Sequence, residues 1–98
     1  MTGATAGIGQ LAAQRISCTT RARLIVGARG EPPRWGEALK LDLASLASVR
    51  TFAATVEKEI AGAKINVLIL NAGLGTLPAG TVTEDGFEAT FAVNHLAH

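Results

Sequence analysis

Apolar and polar positions change period several times along this chain, and the changes mark its elements. Between Ile8 and Ile16 the apolar residues Ile8, Leu11, Ala12 and Ile16 recur at helical spacing and predict a helix with one apolar face. Arg23 to Gly27, centred on Leu24-Ile25-Val26, predicts a strand. Gly30-Glu31-Pro32-Pro33-Arg34-Trp35-Gly36 predicts a turn, because its prolines and glycines break any helix. Ala38 to Leu43 predicts a second short strand, with Asp42 near its end. Ser45 to Ile60 is the clearest helix: Leu46, Val49, Phe52, Ala53, Val56 and Ile60 form one stripe, Ser45 suits an N-cap and Gly62 a stop. Asn66 to Leu70 predicts a third strand, and its continuous apolar run predicts burial on both faces. A glycine-bearing loop, Asn71 to Gly80, follows, and Thr83 opens a final helix with Glu84 and Asp85 in its first turn.

Strands alternating with helices predict an α/β fold, a Rossmann-like doubly wound parallel sheet with helices on both faces. Ninety-eight residues allow one small domain, and 48% hydrophobic with 17% charged residues is a globular composition. The net charge of +1 is spread along the chain and argues against a nucleic-acid surface. Cys18 is the single cysteine, so no internal disulfide forms; near a helix end with no base beside it, it reads as a small packing residue. Val67-Leu68-Ile69-Leu70 is far short of the roughly 20 apolar residues that span a bilayer, and no signal peptide is expected from the first residues, which lack a basic and then apolar run. A cytoplasmic, soluble protein is expected.

Three glycines, Gly3, Gly7 and Gly9, stand directly before and within the first helical signal. Glycines there allow a tight turn and close approach of a pyrophosphate, and the helix N-terminus offers free N–H groups. The spacing is G-x-x-x-G-x-G, and no Gly-Lys-Ser/Thr follows, which excludes a P-loop. Arg29 lies just past the next strand, where a dinucleotide site places its ribose discriminator. An acid there would select NAD; an arginine pairs with the 2′-phosphate of NADP. A solvated arginine is the alternative. Asp42, at a strand end, suits either an adenine contact or the entry to the following helix. Asn71-Ala72-Gly73 ends the third strand with small residues against which a cofactor can lie. Asn94 shares a face with Phe87 and Phe91, so it needs hydrogen-bond partners, and a purely structural asparagine satisfies the same pattern. His95 and His98 lack further ligands and read as a solvated or core pair, not a metal site.

Thr2-Gly3-x-x-x-Gly7-x-Gly9, Asp42, Asn71-Ala72-Gly73 and Asn94, in this order, resemble the short-chain dehydrogenase/reductase family over essentially the whole chain. Gly27-Ala28-Arg29, the run from Asp42 to Arg50 and Asn94-His95-Leu96-Ala97-His98 look most like its branch of retinol dehydrogenases and WW-domain-containing oxidoreductases. Leu70 stands where the family usually has the first asparagine of Asn-Asn-Ala-Gly. The resemblance implies an NADP-dependent oxidoreductase that moves a hydride between the nicotinamide and a carbonyl or alcohol, with NADPH favoured over NAD. Gly3, Gly7, Ile8 and Gly9 would meet the pyrophosphate and ribose, Arg29 the 2′-phosphate, and Asp42 and Leu43 the adenine. Asn71, Ala72 and Gly73 would line the cofactor trough. Asn94 would be catalytic, holding a water of a proton relay through its main chain.

The family's Tyr-x-x-x-Lys pair has no counterpart here, since the chain contains no tyrosine, and the serine-bearing strand is expected to begin beyond residue 98. Residues 1–98 are therefore expected to be an incomplete NAD(P)-binding Rossmann domain, without its first strand and C-terminal half. Such a fragment is expected to be inactive and marginally folded alone, with exposed sheet edges. A non-catalytic nucleotide- or partner-binding half-domain, or a nonfunctional truncated product, is the alternative.

Overall fold

A computed structural model describes residues 1–98. Helix α1 spans Gly7–Thr19, strands β1 and β2 span Ile25–Ala28 and Glu37–Lys40, and helix α2 spans Leu46–Ile60. Near the C-terminus a single turn, α3 (Ala89–Phe91), runs into a π-helical turn, Ala92–Leu96. No helix is long and apolar enough to cross a membrane.

The two strands pair in parallel, Ile25 opposite Glu37 through Ala28 opposite Lys40. Met1 and Thr2 lie along the other edge of β1. The Met1 amino group donates to the Ile25 carbonyl at 2.7 Å, and the Gly27 N–H donates to the Met1 carbonyl at 2.9 Å. Thr2 then passes its own N–H to the Ile69 carbonyl at 2.9 Å. The order across this layer is thus β2, β1, Met1-Thr2, Ile69, a partial Rossmann-like arrangement.

Between Ala28 and Glu37 the chain returns to start a parallel neighbour in eight residues without a helix. Parallel neighbours usually need a dozen or more connecting residues. Here Pro32-Pro33 keeps the connection out of helix, and Gly36 turns it at φ +93°. Trp35 folds back, half-buried, against a small core of Ala4, Ala13 and Val26.

Helix α2 follows its sequence signals closely. Ser45 caps it, its side chain accepting from the Ser48 N–H at 3.3 Å. Ala61, left-handed at φ 48°, ends it one residue before Gly62. Its stripe is half-buried except at Ala53, which is exposed. At its far end Arg23 clips three elements together. Its guanidinium meets both Glu37 carboxylate oxygens at 2.9 and 2.7 Å and donates to the Glu59 carbonyl at 2.7 Å.

Four expectations need correction. Asn66–Leu70 is not a strand: its one link to the sheet is the Thr2–Ile69 bond, and Val67 (74% exposed) and Leu68 (66%) face outward. An apolar run becomes a doubly covered strand only between two paired neighbours, and a single backbone bond is not a ladder. Helix α1 turns its small residues inward: Gly9 and Ala13 are buried, while Ile8 and Leu11 are exposed. The last helix does not start at Thr83. Thr83–Gly86 is a turn closed by the Gly86 N–H on the Thr83 carbonyl, with Gly86 at φ +81°. Glu88 is the true cap, its carboxylate accepting from the Thr90 and Phe91 N–H groups at 2.9 and 2.6 Å. Those two bonds, with Phe91 the stronger influence, hold Glu88 below the ordinary glutamate pKa range. Finally, Cys18 is exposed on the last turn of α1 and is not a buried packing residue.

Candidate functional site

The glycine loop and the Asn71 segment form one unit, tied by Thr2. The side chain of Thr2 is buried, and its Oγ1 accepts from the N–H groups of both Asn71 (3.1 Å) and Ala72 (3.0 Å). Asn71 replies with its amide, which donates to the Gly3 carbonyl at 3.1 Å. The fit is too close for side chains. A Cβ on Gly3, already at φ +68°, would lie 2.7 Å from the Asn71 amide nitrogen and 2.8 Å from the Ala72 backbone. A Cβ on Gly9 would fall on the Gly3 carbonyl and the same amide. Gly7 differs: its neighbourhood is open, so its place in the loop rests on φ +55° alone.

This packing aims the first turn of α1 outward. The N-cap, Ala6, has no side chain that can bond the first-turn N–H groups. Those donors, with the positive end of a 13-residue helix, suit an anion. Ile8 is exposed on this turn.

Asn94 lies in the π-helical turn, where the Ala97 N–H reaches back to the Ala92 carbonyl at 2.9 Å. The Asn94 side chain is used twice by one residue: Oδ1 accepts from the Leu74 N–H at 2.7 Å, and Nδ2 donates to the Leu74 carbonyl at 3.0 Å. It also faces Gly73, whose Cβ would come within 3.4 Å of it. Nearby, His98 Nε2 lies 3.1 Å from the Ala72 carbonyl. His95 instead stacks on Phe91 with ring centroids 5.2 Å apart, so the two histidines serve different neighbours.

Arg29 follows β1 at the mouth of a cleft of about 410 Å³ beside the glycine loop. Thr5, Gln10, Arg29, Glu31 and Arg34 are among the residues that line it. Asp42 stands apart from that cleft. One carboxylate oxygen accepts from the Ala44 N–H at 2.9 Å, and its own N–H donates to Ser48 Oγ. These bonds set the entry to α2 and leave its second oxygen unbonded. Leu43 beside it is half-buried.

The structure therefore gathers Gly3, Gly9, Asn71 and Ala72 into one knot, sets Gly73 against Asn94, and leaves Asp42 and Leu43 at the opening of α2. Sequence reasoning missed two participants. Thr2 carried a signal, its place directly before the glycines, but not the buried acceptor role. Arg34 was concealed within a segment read only as a turn.

Comparison with known proteins places these features in a family. The family model for short chain dehydrogenase matches residues 1–98. Retinol dehydrogenase 13 of Mus musculus is 40% identical over 112 aligned positions, covering the whole chain and 32% of the relative. Short-chain dehydrogenase TIC 32 B, chloroplastic, of Brassica napus is 35% identical, again over the whole chain and 34% of its own length. The crystal structure of an uncharacterised Mycobacterium paratuberculosis protein superposes with a TM-score of 0.78 at 34% identity, over 99% of this chain and 37% of that one. The chain spans about a third of the curated relatives it matches.

Proposed function

This chain belongs to the short-chain dehydrogenase family, and from that premise we propose that residues 1–98 are the dinucleotide-binding part of an NADP-dependent oxidoreductase acting on a small carbonyl or alcohol. The observation that carries the proposal is the knot of Thr2, Gly3, Gly9, Asn71 and Ala72, which holds the glycine loop against the neighbouring segment and turns the uncapped start of α1 outward.

In this reading Gly3, Gly7, Ile8 and Gly9 present the loop and helix start to the pyrophosphate. Arg29 takes the 2′-phosphate, which favours NADP over NAD. Asp42 offers its unbonded oxygen to the adenine amino group, with Leu43 beside it. Asn71, Ala72 and Gly73 form the trough. The bound cofactor supplies hydride transfer. Asn94 has its side chain committed to Leu74, so its main chain is the part left to position water. The π-turn around it fits that role, since such turns gather at functional sites. A cytoplasmic setting belongs to the same reading, supported by the exposed, unpaired thiol of Cys18.

The chain contains no tyrosine, so turnover by these residues alone is not expected. Titration with NADPH and NADH separates the claims from a nonfunctional product. Preferential binding of NADPH, lost in Arg29→Asp, is expected. Binding of neither nucleotide by a chain that circular dichroism shows to be folded would refute the dinucleotide site, and an unchanged preference in Arg29→Asp would remove Arg29 from it.

A further inference from the structure

We propose that Arg34 is a second cation of the phosphate subsite, delivered to it by the helix-free crossover; the inference rests on the NADP reading above. Arg29 and Arg34 line the same cleft, five residues apart in sequence, because the crossover loops directly from the end of β1 back toward β2. Arg34 is held on both sides. Pro33 before it is half-buried with a fixed φ, and Trp35 after it is half-buried against the Ala4, Ala13 and Val26 core. An exposed arginine on such a base loses less freedom when it binds than one in a pliant loop.

The chemistry of the cleft is that of an anion site. None of its lining residues is hydrophobic, although small-molecule pockets are mostly apolar. Its lining carries two arginines and one acid, Glu31. Neither Arg29 nor Arg34 makes an ion pair, whereas Arg23 is bonded to both Glu37 and Glu59. Two unpaired guanidiniums beside Thr5 and Gln10 present planar forks suited to a phosphate monoester. Glu31 opposes that charge and limits the affinity.

Calorimetric titration of the 98-residue chain with adenosine 2′,5′-bisphosphate and adenosine 5′-monophosphate tests this. Arg34→Ala and Arg34→Gln should each weaken the bisphosphate by about tenfold, with the monophosphate changed less than about twofold. Arg34→Lys should retain part of the preference, and Glu31→Gln should strengthen bisphosphate binding. Far-ultraviolet circular dichroism separates a lost contact from a lost fold, and Arg34→Gln removes the charge while keeping a polar side chain. If the Arg34 variants keep the wild-type ratio while Arg29→Ala loses it, Arg34 is not in the subsite and the NADP reading stands. If the wild-type chain shows no preference for the bisphosphate, the NADP reading fails and this inference with it.

Discussion

Removing one oxygen atom from Thr2 tests the knot that the functional reading depends on. Thr2→Val keeps the shape of the side chain but leaves the N–H groups of Asn71 and Ala72 without their shared acceptor. Thr2 is only 6% exposed, so water has little room to replace the hydroxyl. Each unsatisfied buried donor costs about 1–3 kcal/mol. Asn71 itself reaches the surface, which moves the sum toward the lower end. A loss of about 2 kcal/mol is expected, which at this chain length lowers the thermal midpoint by about 8–16 °C. Only 12 of the 98 residues are buried, so that loss is a large share of the total stability. Urea titration at low temperature, followed through the helix signal, measures it, and hydrogen exchange at the Asn71 and Ala72 amides localises it. Thr2→Ser keeps the acceptor and should behave nearly as the parent. A Thr2→Val chain as stable as the parent, or a Thr2→Ser chain equally weakened, would refute the hydrogen-bond account.

Gly9→Ala should abolish NADPH binding and destabilise the chain by about 1–3 kcal/mol, because the added methyl overlaps the Gly3 carbonyl and the Asn71 amide; a variant that binds normally would place the loop elsewhere. Glu37 is held below the ordinary glutamate pKa range by its bonds to Arg23, and Glu88 by the Phe91 and Thr90 amides. A carboxylate depressed on folding contributes stability that is fully present above its unfolded pKa and fades as pH falls through the folded one. Thermal midpoints should therefore decline below the ordinary glutamate range, and Glu37→Gln with Glu88→Gln should flatten that decline. An unaltered slope would assign it to other groups.

Where the determinants were local, the sequence was informative. Ser45, the apolar stripe and the glycine after Ala61 mark the bounds of α2 in the sequence itself. The first turn of α1 was equally legible through its glycines. Where partners come from far along the chain, reading failed for identifiable reasons. Asp85 looked like a first-turn acid, yet its carboxylate accepts from the Leu46 N–H 39 residues earlier and so braces α2. Ile8 and Leu11 look like the inward face of α1. The loop beneath it instead admits only Gly9 and Ala13. Asn66–Leu70 has the composition of a buried strand, but composition does not reveal how many backbone bonds its neighbour makes with it.

The eight-residue crossover also sets an order of assembly. It pairs Ile25 with Glu37, twelve positions apart, whereas the Thr2–Asn71 contact closes a loop of 69. Loop-closure entropy makes the longer contact costlier by about 1.5 kcal/mol. The β1–β2 pair can form early from local contacts, and the glycine loop is fastened only when the two distant ends of the segment meet. The glycine loop is thus held by the costlier of the two closures, and under the proposed function a bound phosphate, by holding that contact closed, would slow its opening.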